Sequence, residues 1–243
     1  MPHEPFAEAL DTDPAGVRIG WLGDWGGAYP MAPGVLATCE AALTVFADHG
    51  CTVEPVAPPF PAERLWESWI VPRSRAIAAR LAPLYADPAK RERMKPELLW
   101  EIERGRALSA MAVHDASVTR SARYARLAEL FDRHDALALP AAQVWPFPAD
   151  LRWPDEVAGR SMDTYHCWME IVVPVSLAGV PCLSLPAGFG AQGLPMGIQL
   201  FGPHGAHQAI LRLGQAYHRA TDWPGRRPPP SCRPVSRPAA GHA

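Results

Sequence analysis

Three of the side chains that could act as nucleophiles fall within one apolar region: Ser176, Cys182 and Ser184. A catalytic serine or cysteine needs a neighbouring base and hydrogen-bond donors for an oxyanion. The sequence contains no G-x-S-x-G motif and no two adjacent serines. We therefore predict that Ser176 and Ser184 are buried helix and strand residues without a catalytic role.

A cysteine–histidine site is an alternative that the sequence leaves open. Cys182 would pair with His166 or His204 in such a site, and loss of activity in Cys182→Ala would be required to establish it. A metal site is not indicated, because His204 and His207 have no cysteine or carboxylate cluster beside them. His166 and Cys167 are adjacent in sequence, and adjacent helix positions face apart. We predict no bound metal and no cofactor.

Charge, cysteine content and hydropathy exclude several classes of protein. The net charge is −2 and 48% of the residues are hydrophobic, which gives no indication of a nucleic-acid partner. The five cysteines are irregularly spaced without a C-x-x-C motif, so free thiols are expected. The N-terminus lacks the regions of a signal peptide, and no apolar run reaches the ~18 residues of a membrane span. We expect a cytoplasmic protein with no membrane partner.

The first part of the chain has the pattern of a strand–helix–strand unit. Val17–Leu22 and Cys51–Val56 read as strands, and the turn Gly23–Gly27 between the first strand and the helix is neither a G-x-G-x-x-G motif nor a P-loop. Pro33–His49 has apolar residues at three- and four-residue spacing, which predicts an amphipathic helix, and Gly50 stands where a left-handed helix end is required. This order favours a parallel pair of strands and an α/β fold.

A long helical region and an aromatic loop follow. Residues 62–134 are predicted to be helical with interruptions near Pro72, Pro83, Pro88 and Pro96, and 135–139 is a short buried strand. The loop 140–163 is rich in proline and tryptophan. Loops of this length are often functional, and Trp145 and Trp153 could line an apolar pocket. Packing of the loop on the core as a lid is the alternative.

The most informative stretch runs from Tyr165 to Gly202. The apolar run 168–177 is followed by two predicted strands, 181–186 and 196–201, joined by a glycine-rich turn. The prolines of this stretch are expected to bracket the strands without interrupting their hydrogen bonds. Gln199 lies within an apolar strand, and because a buried amide must be hydrogen-bonded, we expect it to tie neighbouring loops together.

Several ordered motifs in this stretch resemble the C-terminal part of the amidase-signature hydrolases. They are Gly179-Val180-Pro181, Pro186-Ala187-Gly188 and Leu194-Pro195-Met196-Gly197-Ile198-Gln199-Leu200-Phe201-Gly202. The segments GVRIGWLGDWGG and FDRHDALALPAA also resemble the middle region of that family, so the resemblance covers residues 16–225. It implies an α/β fold in which helices cover both faces of a mixed β-sheet, in an incomplete form that lacks the N-terminal catalytic part.

The resemblance also implies a chemistry that this chain does not carry. In that family a serine attacks a carboxamide carbonyl, a second serine held by a cis peptide bond relays the proton to a lysine, and backbone N–H groups stabilise the oxyanion. Lys90 and Lys95 are the two lysines, and no serine is close to either in sequence. We predict no catalytic residue in this chain, and a wall of the substrate pocket formed by Trp145, Trp153 and Tyr165.

The resemblance also sets the expected organisation and partners. Residues 1–15 are a lead-in, 16–225 the C-terminal portion of an amidase domain, and 226–243 a disordered Pro/Arg-rich tail. We expect an N-terminal amidase half or a second copy of the chain as partner, and a small-molecule amide as substrate only after completion. The alternative is a non-catalytic binding or structural protein that needs a partner chain. Val17–Leu22 or Leu183–Leu185 would form unpaired sheet edges, which promote association and poor solubility.

Overall fold

The structure of the chain, a computed structural model, describes residues 10–226. Most of the predicted lead-in and of the predicted tail therefore lies outside the described residues. The strands are β1 (Arg18–Trp21), β2 (Thr52–Pro55), β3 (Ala136–Pro140), β4 (Glu156–Val157), β5 (Arg160–Ser161), β6 (Cys182–Phe189) and β7 (Pro195–Phe201). The helices are α1 (Val35–Asp48), α2 (Ala62–Ala86), α3 (Pro88–Arg91), α4 (Pro96–Ala107), α5 (Ala110–Phe131), the 3₁₀ helix Cys167–Val172, α6 (Val173–Ala178), α7 (His207–Thr221) and α8 (Trp223–Arg226).

A mixed five-stranded sheet in the order β2-β1-β3-β7-β6 forms the centre of the molecule. β1 pairs in parallel with β2 and β3, as the strand–helix–strand pattern predicts. β7 is antiparallel to both β3 and β6. The predicted β1 segment is thus an interior strand, and the expectation that it forms an edge is wrong. Within residues 10–226 the Leu183–Leu185 segment does lie on an edge strand, β6.

Helices cover both faces of the sheet and create two hydrophobic cores. On one face α1 and α7 bury side chains such as Phe46 and Tyr217 against Ile198. On the other face α2, α5 and α6 pack against Leu137 and Phe201. The α/β class with a mixed sheet between helical layers is confirmed.

The helical region differs from its prediction in one respect, because α2 continues through both Pro72 and Pro83. A proline in a helix removes one hydrogen bond and costs about 3 kcal/mol. α2 packs against α4 and α5, and its Leu65 and Ile70 side chains are fully buried. Each large apolar side chain that is buried contributes about 1.5–3 kcal/mol, so this packing offsets much of the cost of the two prolines.

The hairpin β6–β7 also differs in detail from the sequence prediction. Pro195 is the first residue of β7, as expected for a proline that brackets a strand. Pro186, however, lies inside β6 opposite Gly197, and a bulge follows it between Pro186 and Gly188. The proline is tolerated because β6 is an edge strand and because a bulge relaxes the pairing.

Candidate functional site

The three candidate nucleophiles Ser176, Cys182 and Ser184 are all exposed, so the prediction that the two serines are buried is wrong. On β6 the side chains of Cys182 and Ser184 point to the same face of the sheet, and helices of the described part do not bury them there. The apolar surroundings of the Cys182 sulfur raise its pKa to about 11. An activated thiol has a lowered pKa, so this environment does not favour a nucleophilic cysteine.

His166 lies in a buried cluster of aromatic and charged side chains, and Cys182 is not among its neighbours there. Its Nε2 lies 3.8 Å from Glu101 Oε2, and Arg73 Nε lies 2.7 Å from Glu101 Oε1. The ring centroids of Trp69 and Trp100 are 5.5 and 6.1 Å from that of His166. Burial lowers the pKa of His166, although Glu101 partly opposes this shift. The imidazole is therefore favoured in its neutral form.

Trp153 and Tyr165, two of the predicted pocket residues, meet beside His166. Their ring centroids are 6.1 Å apart in an edge-to-face arrangement, and the Tyr165 centroid is 5.3 Å from that of His166. They line a cavity of about 230 Å³ together with Trp100. Trp153 Nε1 donates to the Met162 carbonyl at 3.1 Å, which fixes the indole.

A larger cavity of about 620 Å³ adjoins this aromatic cavity, and one ion pair lines both. Arg152 Nη2 lies 2.6 Å from Glu97 Oε1, and the Arg152 guanidinium lies 4.9 Å from the Trp153 ring centroid. Arg152, Glu97 and Tyr165 line both cavities.

Trp145, the third predicted pocket residue, lies elsewhere. Its Nε1 donates to the Pro33 carbonyl at 3.0 Å, and its ring lies so close to Gly190 that an added Cβ there would be 2.8 Å away. It lines a separate apolar groove of about 730 Å³ between α1 and the β6–β7 hairpin, with Phe189 and Trp223. The structure therefore brings together two of the three predicted residues.

A buried polar cluster that the sequence did not indicate contains Tyr29, Arg123 and Glu170. Burial raises the pKa of the Tyr29 hydroxyl, and Glu170 raises it further. Burial lowers the pKa of Arg123 to about 10 and raises that of Glu170 to about 7. Tyr29 Oη and Arg123 Nη1 are buried without a hydrogen-bond partner among the described residues. A carbonyl or carboxylate oxygen would satisfy these donors.

The position of this cluster follows from the parallel strands. Tyr29 lies in the loop after β1, and Gln143 lies in the loop after β3, so both are near the carboxyl ends of neighbouring parallel strands, where α/β proteins commonly place ligand sites. The fully buried Gln143 side chain donates to the Pro30 carbonyl at 3.2 Å. It also accepts from the Ile171 N–H at 3.0 Å. One amide thus joins both loops to the 3₁₀ helix that carries Glu170.

The family-motif residues take up backbone and packing positions. Gln199 Nε2 donates to the Pro140 carbonyl at 2.8 Å, at the end of the neighbouring strand β3. Gly179 ends α6 with a φ of 66°, and Gly188 has a φ of 143° at the bulge. Pro181 and Gly202 are joined by a hydrogen bond from the Gly202 N–H to the Pro181 carbonyl at 3.1 Å.

Neither lysine has the environment of a catalytic base. Lys90 pairs with Asp87 at 3.1 Å on the surface, and Lys95 is exposed. A lysine acts as a base when burial lowers its pKa. Within residues 10–226 no group of three potential metal ligands is clustered. None of the described helices is long and apolar enough to cross a membrane.

Comparison with known proteins identifies the family. A family model described as Amidase matches residues 1–211. The chain belongs to the amidase family. It is 31% identical to a glutamyl-tRNA(Gln) amidotransferase subunit of Chloroflexus aggregans, over 94% of this chain and 49% of that protein. The corresponding protein of Roseiflexus sp. is 29% identical over 93% of this chain and 49% of its own length.

Solved structures of amidase-signature enzymes share the fold. A bacterial aryl acylamidase superposes with a TM-score of 0.82 at 22% identity, over 90% of this chain and 46% of its own. The 6-aminohexanoate cyclic dimer hydrolase gives a TM-score of 0.76 at 19% identity, over 94% and 50%. The amidase chain therefore spans about half the length of the relatives it matches.

Proposed function

We propose that this chain supplies one half of an amidase that hydrolyses carboxamide C–N bonds, and that the chain alone is inactive. The catalytic serines and lysine would lie in a complementing part of the fold. The observation that carries this proposal is the match to about half of each amidase relative, combined with the lack of adjacent serines in the sequence. The surface position of Lys90 and Lys95 supports it, because a catalytic lysine needs partial burial.

In the completed enzyme, this half would bind the substrate beside the catalytic groups. Trp153 and Tyr165 would provide an apolar wall in a cavity that Arg152 bounds. Aromatic rings with a few polar groups are typical of small-molecule sites. The substrate would be a small carboxamide, and the products its carboxylic acid and ammonia or an amine.

A partner chain is part of the proposal. The Chloroflexus aggregans and Roseiflexus relatives are named as subunits of an amidotransferase, which supports an assembly of more than one chain. The complementing part would have to contact this chain over a substantial surface, because both would share one sheet. A complementing amidase half is therefore the partner that we propose.

The experiment compares this chain with a completed form. The chain is fused to the part of the Chloroflexus aggregans relative that it does not match, and release of ammonia from a panel of small primary carboxamides is measured. The fusion should be active, whereas the isolated chain and the isolated fragment of the relative should both be inactive. Activity of the isolated chain would contradict the proposal, and its loss in Cys182→Ala would instead establish a cysteine-dependent enzyme.

A non-catalytic binding role is the second candidate, and one observation favours it. The apolar groove beside Trp145 has a volume of about 730 Å³, which is large enough for a drug-sized ligand. A fluorescent apolar probe such as anilinonaphthalene sulfonate should then bind saturably to the isolated chain, and Gly190→Leu should block it. A non-saturating, purely proportional signal would contradict this role.

A further inference from the structure

The cavity of about 230 Å³ beside His166 has aromatic walls on several sides, formed by the rings of Trp100, Trp153, Tyr165 and His166. The Tyr165 ring stands at 83° to the Trp153 ring and at 82° to the His166 ring, so it meets both neighbours edge to face. The Trp100 and Tyr165 side chains are 38% and 37% exposed, which leaves the cavity open to solvent. These four rings form what we call the aromatic cage.

Two rings of the aromatic cage already have a cation beside them. The Arg152 guanidinium lies 4.9 Å from the Trp153 ring centroid, and the Arg104 guanidinium lies 5.8 Å from the Trp100 ring centroid. The face of an indole ring is negative and attracts a cation within about 6 Å of its centroid. The cage therefore suits a cation through the type of its rings and not only through its apolar surface.

The charged groups at the cage also favour a cation. Of the described residues that line it, Glu97 and Asp163 are acidic and Arg152 is basic. Arg152 Nε and Nη2 lie 2.9 and 2.6 Å from Glu97 Oε1, so one carboxylate compensates the guanidinium. Asp163 accepts from the Cys167 thiol at 3.3 Å and has no cationic partner in the described part of the chain. Burial lowers the pKa of His166, so its ring adds no positive charge near neutral pH.

We propose that the aromatic cage binds an alkylammonium group of the substrate, so that the carboxamide hydrolysed by the completed enzyme is a cationic one. This inference rests on the proposed function and names its substrate class. The ammonium would lie against the indole faces, with the Glu97 and Asp163 carboxylates as counter-charges. Pockets for whole small molecules measure about 300–1,000 Å³, so this smaller cavity fits one end of a substrate. The carboxamide would extend out of the cage toward the complementing part.

Two other occupants fit the observations less well. A carboxylate would have to separate Arg152 from Glu97, and it would then face the negative charges of Glu97 and Asp163 as well as the negative faces of the rings. A neutral apolar group would leave Glu97 Oε2 as it is now, buried without a partner in another described residue, and an unpaired buried acceptor is costly. An ammonium ion avoids both costs.

The first measurement compares choline with its neutral carbon isostere, 3,3-dimethylbutan-1-ol, which has the same shape and no charge. The dissociation constant of each for the isolated chain is obtained by NMR titration of the tryptophan indole N–H signals. Choline should bind about tenfold more tightly, the size of a cation–π contact in a partly desolvated site. Equal affinities would show a purely apolar cavity and overturn the proposal. Tighter binding of 3,3-dimethylbutanoate than of choline would show an anion site and also overturn it.

Two tryptophans of one loop form a matched pair that locates the site. Trp153→Leu removes a ring of the cage and should weaken choline binding by about five- to tenfold. Trp145→Leu removes a ring of the separate groove between α1 and the β6–β7 hairpin and should leave choline binding unchanged. Equal losses in the two variants would overturn the assignment to the cage.

A further variant, Arg152→Gln, changes the charge of the cage and keeps its rings. The Arg152 side chain is 54% exposed, so the substitution does not disturb a core. It frees the Glu97 carboxylate and the Trp153 ring for a ligand, and choline should then bind about three- to tenfold more tightly. If Arg152 instead binds an anion, the variant should lose affinity for 3,3-dimethylbutanoate and gain none for choline, and that result would overturn the proposal.

Activity measurements separate this inference from the proposed function. In the fusion with the part of the Chloroflexus aggregans relative that this chain does not match, kcat/KM for 5-aminopentanamide should exceed that for its neutral isostere hexanamide by about tenfold, and Trp153→Leu should abolish the difference. An active fusion that hydrolyses both amides equally well overturns the inference and leaves the proposed function in place. Selective choline binding by the isolated chain, with a fusion that hydrolyses no carboxamide, supports the cage and contradicts the proposed function.

Discussion

The two edges of the central sheet are built from different side chains. At β2 the Glu54 carboxylate accepts from Arg18 at 2.7 Å and lies 2.9 Å from His134 Nε2, and the strand ends at a proline after four residues. β6 is twice as long and carries no charge. Strand length and the charged side chains therefore both make β2 the less favourable edge for pairing with another strand.

The largest expected effect is the loss of core packing behind β6. Leu185 is 7% exposed and belongs to the core under α1 and α7, so Leu185→Ala should lower the free energy of unfolding by about 2–5 kcal/mol. Val53 on β2 is only partly buried, and Val53→Ala should cost about 1 kcal/mol. Urea denaturation of the two variants measures both. Equal losses would show that β6 is no better anchored than β2.

The second prediction uses pH, because the pKa values of Glu170, beside the loops after β1 and β3, and of Glu54, on the edge strand β2, are shifted in opposite directions. Burial raises the pKa of Glu170 to about 7, in the 3₁₀ helix that leads to β6. In the unfolded state Glu170 loses its proton as the pH rises above 4.5, the ordinary pKa of a glutamate, whereas in the folded state it keeps the proton up to about pH 7. The free energy of unfolding therefore falls between these two pH values and levels off above pH 7. Glu170→Gln should remove this slope and exceed the wild type by up to about 3 kcal/mol at about pH 8. A variant with an unchanged pH slope would exclude a buried Glu170.

A third, smaller effect concerns backbone conformation at the end of β6. Gly188 has a φ of 143°, and an added Cβ would have room, since its nearest neighbour would be 3.5 Å away. Gly188→Ala should therefore cost about 1–3 kcal/mol through backbone strain alone. Gly50, before β2, has a φ of 80°, close to the left-handed region that other residues can adopt, so Gly50→Ala should cost less although its added Cβ would lie 3.0 Å from a neighbour. The melting temperatures of the two variants give this order directly, and the reverse order would contradict the prediction.

The smallest effect is expected at the β2 edge itself. Hydrogen bonding to Arg18 lowers the pKa of Glu54. A carboxylate with a lowered pKa stabilises the folded state above its ordinary pKa, and this contribution is lost as the pH falls through the lowered value. Glu54→Gln should therefore show a slightly lower melting temperature than the wild type near neutral pH. The two proteins should converge in acid, below the lowered pKa, and a difference that persists there would assign the effect to packing.

The local structure of this protein was largely readable from its sequence. The β1–α1–β2 unit follows from apolar spacing, and the left-handed Gly50 follows from its position after the helix. The β6–β7 hairpin follows from its prolines and glycines. These features depend on neighbours in sequence, so local preference and tertiary structure agree.

Features that depend on distant neighbours were not readable. Ser184 alternates with leucines along β6. The sequence predicts that Ser184 is buried, because nothing in it shows that helices cover one face of the strand and leave the other face exposed. Trp145 and Trp153 belong to one loop, yet they face different cavities. The sequence does not predict this, because a loop has no periodic pattern that indicates the direction of its side chains. The buried Arg123 and Tyr29 were missed because helix and turn patterns do not reveal which polar residues a neighbouring element will enclose.

The buried side chain of Gln143 has a kinetic consequence. Its amide bonds to both the Pro30 carbonyl and the Ile171 N–H, and its main-chain carbonyl accepts from the Ala32 N–H at 2.8 Å. The two amide hydrogens at Ala32 and Ile171 lie 139 positions apart in sequence, but one residue holds both. In deuterium oxide their exchange should report the same free energy of opening, because release of the Gln143 side chain frees the two loops and the 3₁₀ helix as one unit.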